Sequence, residues 1–257
     1  MIHFFKYQGA GNDFVLIDNR NQNLQLSTEQ IAFLCHRRLG IGADGLMLLE
    51  EANGHDFRMV YYNADGREST MCGNGGRCIT AFARHLGLVA DKAFFVAIDG
   101  EHHAAFVAEN IIALEMNDVH DVQHFDHYSI LNTGSPHYVV WMDDVANADV
   151  FHQGREIRNR EKFAPNGINV NFAQKTDEGL FVRTYERGVE DETLSCGTGV
   201  TACAIAASLQ ELGDFGTDIM TLGGKLNVSF TKNTATTAIN VVLTGPALFV
   251  YEGTITL

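Results

Sequence analysis

Met71-Cys72-Gly73-Asn74-Gly75 and Ser195-Cys196-Gly197-Thr198-Gly199 are two versions of one stretch, 124 residues apart in a chain of 257. Each sets a cysteine on a Cys-Gly-x-Gly turn. Each then runs into small and apolar residues that read as a helix, 77–86 after the first turn and 200–212 after the second. Apolar residues around most of the circumference predict that both helices are buried. Gly87 and Gly213 stand at the expected ends.

The echo continues away from the cysteines. Gly11-Asn12-Asp13-Phe14-Val15-Leu16-Ile17 has a counterpart in Gly134-Ser135-Pro136-His137-Tyr138-Val139-Val140, at an offset of 123. Asp99-Gly100-Glu101 and Gly223-Gly224-Lys225 both open strand patterns, at an offset of 124. Three landmarks in one order at nearly constant spacing predict a duplicated chain. The first domain is read as 1–118 with Cys72, the second as 119–257 with Cys196. The join is expected within 117–128 (NDVHDVQHFDHY), a polar stretch suited to an exposed connection.

Short runs rich in β-branched and aromatic residues, bounded by Gly, Asn and Asp, read as strands. They fall at 14–17, 46–49, 57–62, 94–98 and 111–116, and at 138–141, 168–172, 180–185, 219–222, 226–230, 239–243 and 248–251. A surface helix is expected over 27–39, with Ser27 and Gln30 forming a capping box and Gly40 closing it. The predicted fold class is α+β: two pseudo-symmetric domains, each wrapping strands around one central helix that starts at a cysteine.

The composition narrows the function. A net charge of -14 opposes a nucleic-acid partner, which needs a basic face. The opening MIHFFKYQGAGNDF carries no apolar signal segment, and no uncharged apolar run reaches the roughly 18 residues of a membrane span. Five cysteines, an odd number, do not form a disulfide framework, and a reducing cytoplasm is the expected setting. The spacings 72–78 and 196–203 do not match a zinc-ligand pattern. Cys35, Cys78 and Cys203 read as core residues.

A helix start exposes backbone N–H groups and the positive end of the macrodipole. Glycines there let an anion approach closely, and the same field favours thiolate over thiol. One such cysteine per half can supply two thiols, one to take a proton from a carbon and one to return it on the opposite face. A cysteine hydrolase needs a single nucleophile with a histidine and gives no reason for a matched second cysteine.

GAGNDF, NADGRESTMCGNGGRC, NTGSPHYV, YERGVEDETLSCGTG and LTGPALFVYEG together resemble the diaminopimelate epimerase family, over Gly9 to Gly253. The resemblance implies two pseudo-symmetric domains with the site in the cleft between them and the final strand returning to the first domain. It implies epimerisation of LL-diaminopimelate to the meso form without a cofactor or metal, for lysine and cell-wall synthesis, in an enzyme that often forms homodimers. By matching motif, Cys72 and Cys196 are the proton-transferring pair. His137 and Glu186 adjust their protonation, and the turns Gly73-Asn74 and Gly197-Thr198 hold the α-carboxylate. Arg187 suits the distal carboxylate, and Asn12, Asn63 and Asn169 match substrate-binding positions; Glu186 is also placed against the substrate. Three departures stand out: Ser135 in place of an Asn, Gly45 where some members carry Gln, and a VEDET segment one residue longer. Two rivals remain. Proline or hydroxyproline racemases typically carry His where this chain has Asn74, and a non-catalytic amino-acid binder has no use for two acid/base groups.

Overall fold

The computed structural model describes all 257 residues. The first half of the chain runs β1 (Ile2–Gly9), β2 (Asn12–Asp18), α1 (Thr28–Cys35), β3 (Gly45–Glu50), β4 (Phe57–Asn63), β5 (Glu68–Ser69), α2 (Gly73–His85), β6 (Lys92–Ala97), β7 (Gly100–Ala108) and β8 (Ile111–Glu115). The second opens with the short β9 (Gln123–His124). It continues through β10 (Tyr128–Asn132), β11 (Pro136–Trp141), α3 (Val150–Arg158), β12 (Asn169–Thr176), β13 (Gly179–Glu186), β14 (Asp191–Thr193), α4 (Gly197–Ala207), β15 (Gly213–Thr221), β16 (Gly224–Thr234), β17 (Thr237–Pro246) and β18 (Leu248–Ile255).

The halves repeat one another pairing by pairing. β1 and β2 are antiparallel, β2 and β3 parallel, β3 and β4 antiparallel, and β4 pairs parallel with β6. β10–β11, β11–β12, β12–β13 and β13–β15 follow in the same senses. The hairpins β6–β7–β8 and β15–β16–β17 close each series. The fold is therefore α+β and internally duplicated.

The chain divides into two compact units, Met1–Leu114 with Gly245–Leu257, and Glu115–Thr244. In the first unit, β18 pairs antiparallel along almost the whole of β1, from Ile2↔Ile255 to Gln8↔Leu248. In the second, β9 pairs with β10.

Each unit is built around its long helix. In α2 the residues Gly73 to Thr80 are all buried, and the helix packs on β1, β2, β3, β7 and β18. α4 packs on β10 to β13, β15 and β16, with Val200 to Ala206 buried. Strands pack around both helices, and small residues, Gly75, Gly76 and Ala83 in α2 and Ala202, Ala204 and Ala206 in α4, let the backbone approach closely. Cys78 and Cys203 are fully buried and Cys35 nearly so, as core thiols. Burial pushes Cys35 and Cys78 up to about 12 and raises Cys203 as well, so all three stay protonated.

Several sequence expectations are corrected. The capping box at Ser27 forms, but α1 ends at Cys35, about a turn before Leu39. There the chain turns back, and Ile41, Gly42 and Ala43 donate to the carbonyls of Leu34 and Cys35. Both cysteine helices begin earlier than predicted, at the first glycine of each turn. Gly87 closes α2 with φ +73°, but α4 stops at Ala207 and Gly213 belongs to β15. The helix stops where Leu209 takes a left-handed backbone, φ +49°, and Lys232 of β16, 1% exposed, brings its ammonium to the Leu209 carbonyl and to Ser208 Oγ at 3.1 Å. A cation at this end also complements the helix dipole. The 117–128 stretch is not simply exposed, since Val119 and Val122 are buried and bonded to Ala238 and Thr236. Strands β1 and β10 and helix α3 have no counterpart in the sequence reading.

Candidate functional site

Cys72 is the N-cap of α2 and Cys196 the N-cap of α4, both with extended backbone and no side-chain cap bond. The carbonyl of each accepts the first helical bond, from Gly76 at 2.7 Å and from Val200 at 2.9 Å. Each thiol therefore sits where the first backbone N–H groups of a buried helix point outward. Equivalent placement follows from equivalent topology: each helix comes after the short strand, β5 or β14, that ends its antiparallel series.

In the first unit the Cys72 sulfur lies 3.7 Å from Asn12 Oδ1. The Asn12 amide nitrogen donates to Asp44 Oδ2 at 2.6 Å, which fixes its oxygen toward the sulfur and toward Asn74 Nδ2 at 3.3 Å. An ionic cluster holds this arrangement, with Arg37 forked onto Asp13 and bonded to Asp44, and Lys6 on Asp13 at 2.7 Å. Burial pushes the Asp13 carboxyl up, but Arg37 and Lys6 outweigh it and hold the group at about 2. Asn74 is fully buried and accepts from Arg77 Nη2 at 2.7 Å. Arg77, itself fully buried, also donates to the carbonyls of Gly73 at 3.2 Å and Pro246 at 3.4 Å. Burial lowers its guanidinium to about 10, against the pull of Cys78 and Cys72. Asn63 lies exposed at the end of β4, its backbone closing the turn with Gly66 and Arg67. At Gly45 a Cβ would lie 2.6 Å from Cε2 of Tyr61 and 2.7 Å from the Tyr62 carbonyl, so the Tyr61 ring fills the room a longer side chain needs.

The second unit is organised differently. His137 on β11 is fully buried and pairs in register with Asn169 on β12. Its Nε2 is 2.9 Å from Thr198 Oγ1, and that hydroxyl is 3.5 Å from Cys196 Sγ. Thr133 donates to the Thr198 carbonyl at 2.8 Å and steadies the turn. Asn169 accepts the Arg187 backbone N–H at 2.8 Å, and Glu186 accepts from Thr193 at 3.0 Å. The Arg187 guanidinium reaches the Asn166 carbonyl at 3.5 Å. Thus His137, Thr198 and Cys196 form one contact chain, while Asn169, Glu186 and Arg187 meet at the end of β13.

Residues outside the sequence reading complete both arrangements. Asp13, Asp44 and Arg77 hold Asn12 and Asn74; Thr133, Asn171 and Thr184 support the second turn. A signal for Asn171 lies in Ile168-Asn169-Val170-Asn171-Phe172, where two amides share one face of an otherwise apolar strand. Arg77 gives no comparable signal, because its acceptors come from the helix backbone and from residue 246.

Burial, helped by the positive charge of Arg187, pushes the His137 imidazole down to about 3 despite its bond from Asn171. An unfolded histidine titrates near 6.5, so between about pH 6.5 and 3 the unfolded chain binds more protons and folding stability falls with pH. Urea unfolding from pH 7 to 4.5 is expected to show this loss, on the order of 2 kcal/mol. His137→Phe, which installs the residue type of the equivalent Phe14, should flatten the slope; an unchanged slope counts against a neutral buried imidazole.

The duplicated fold places the chain in a class of two-domain α+β folds with solved members. It superposes on a phenazine biosynthesis protein of the PhzF family from Bacillus anthracis with a TM-score of 0.80, 14% identity and coverage of 100% of this chain and 99% of that one. A probable proline racemase from Agrobacterium radiobacter K84, with bound carbonate, gives 0.72 at 16% identity, covering 100% and 93%. These likenesses define the fold. The diaminopimelate epimerase family model matches residues 4–119 and 129–250. A diaminopimelate epimerase from Flavobacterium psychrophilum is 51% identical over 256 residues, 98% of this chain and 99% of that protein. The chain belongs to the diaminopimelate epimerase family and is an isomerase. No helix is long and apolar enough to cross a membrane.

Proposed function

We propose that the chain converts LL-2,6-diaminopimelate to meso-diaminopimelate with Cys72 and Cys196 as a thiol/thiolate pair and no cofactor. The observation that carries this is the placement of both cysteines at equivalent helix N-termini of a duplicated fold, in a member of this family. One thiolate takes the α-proton. The electron pair left on carbon delocalises into the α-carboxylate, and the other thiol returns a proton on the opposite face. The backbone N–H groups at Gly73-Asn74 and Gly197-Thr198 meet the charge that develops on the carboxylate. Reversal exchanges the two roles, and the thiols titrate as a coupled pair.

In this reading His137 and Glu186 adjust the thiols. Arg187 pairs with the distal carboxylate, which a guanidinium can bind through two hydrogen bonds, and Asn12, Asn63, Asn169 and Glu186 complete substrate binding. The proposed setting is a cytoplasmic, homodimeric enzyme in the supply of precursors for lysine and peptidoglycan. The test is α-proton exchange in D₂O without added cofactor. Exchange with LL-diaminopimelate and none with L-proline is expected. Exchange with proline alone would show a different racemase, and none with either would show a binder.

A further inference from the structure

We propose that Asn171 is a positioning residue for Cys196: through His137 and Thr198 it directs a hydrogen-bond chain that ends by donating to the Cys196 sulfur. Asn171, on β12, is fully buried. Its Nδ2 lies 3.0 Å from His137 Nδ1 and 3.4 Å from the Tyr138 carbonyl, and its Oδ1 accepts from Thr184 Oγ1 at 3.0 Å. A carbonyl only accepts, so the amide edge facing Tyr138 must be the NH₂ group. That orientation makes His137 Nδ1 an acceptor. A neutral imidazole then carries its single proton on Nε2 and gives it to Thr198 Oγ1. With that oxygen accepting, the Thr198 proton is left for Cys196 Sγ. A donor at the sulfur favours thiolate over thiol.

Two further observations bear on the chain. A Cβ on Gly199 would collide with Asn171 Oδ1 and come within 3.3 Å of Cys196 Sγ, so the second glycine of the turn is what lets the amide pack against it. The duplication also supplies an internal comparison. By strand register, the positions of His137, Asn171 and Thr184 are taken in the first unit by Phe14, Met47 and Tyr61. Phe14 and Tyr61 meet edge to face there, and Met47 lies against Gly75. The scaffold therefore closes with apolar and aromatic side chains at these places. Burying an amide, an imidazole and a hydroxyl in the second unit is costly unless each is bonded, and here each is. Other ionisable groups in electrostatic contact with this region within the unit are Arg187, which acts on His137, and Cys203, on which Cys196 acts.

The catalytic consequence rests on the two-cysteine reading, but the test does not. In a Cys72→Ala background, Cys196 alkylation by iodoacetamide is followed against pH with the modified residue assigned by peptide mass spectrometry, because Cys35, Cys78 and Cys203 are buried as Cys196 is. Asn171→Leu is expected to raise the midpoint by about one pH unit. Thr198→Val should raise it similarly, and the double variant no further. A midpoint unmoved by Asn171→Leu while Thr198→Val shifts it overturns the proposal. Should Asn171→Leu fail to fold, ¹⁵N spectra of histidine-labelled parent protein decide, with the His137 signal assigned by its loss in His137→Gln. The Nε2–H tautomer is expected, and the Nδ1–H tautomer overturns it. Both readouts stand even if the D₂O exchange fails.

Discussion

Cys72→Ala and Cys196→Ala should each lower epimerisation of LL-diaminopimelate by at least about 10³-fold, the range for losing a positioned acid or base. Inversion needs both faces of the α-carbon served, so neither cysteine can cover for the other. A lone remaining thiol can still remove a proton from its own side and, after exchange with solvent, put deuterium back on that side. Each variant should therefore retain slow exchange without inversion, and the two variants should prefer opposite configurations at the reacting carbon. Chiral analysis of the product with NMR of the α-position measures both quantities. Near-normal turnover in either variant would refute the paired-thiol mechanism. Equal preference of both variants for one configuration would assign both thiols to one face.

Arg77→Met should produce a large loss of stability, about 3 kcal/mol in urea unfolding. Methionine fills much of the volume but leaves three oxygens, on Gly73, Asn74 and Pro246, without the donor they now share. The loss of a buried charge offsets part of that cost, because these three partners are neutral acceptors. Lysine should recover little, since a single ammonium cannot span the fork of a guanidinium. Activity should fall with stability. Asn74 loses the bond that orients its amide toward Asn12, and Asn12 is the neighbour of the Cys72 sulfur. A variant as stable as the parent would show that the three acceptors find other donors.

Much of this architecture is legible in the sequence, and the reasons are local. The Cys-Gly-x-Gly turns announce helix starts because glycine at those positions has a steric meaning. Gly100 and Gly224 announce strand starts for the same cause, each with positive φ. Helix α3 is hidden because Val150-Phe151-His152-Gln153-Gly154-Arg155-Glu156-Ile157-Arg158 shows its buried face only through Val150, Gly154 and Ile157. A glycine on that face reads as a turn until Tyr185 is known to lie against it. Lys232 bonds the end of α4, and Arg77, tied to Pro246, holds Asn74, partners no local pattern reveals. At the candidate site, the residues proposed to act on the substrate stand out as motifs. The residues that aim them, Asn171, Thr184 and Asp44, look like ordinary strand and turn residues until their neighbours are in place.

The pairing of β18 with β1 sets an order on events during synthesis. The first unit joins residues made before the second unit, Met1–Leu114, to residues made after it, Gly245–Leu257. Until residues 245–257 have left the ribosome, β1 has an open edge from Ile2 to Gln8, and Arg77 lacks the Pro246 carbonyl. The second unit, Glu115–Thr244, is one unbroken segment. The half made later can thus close first, and the half begun first must wait for β18.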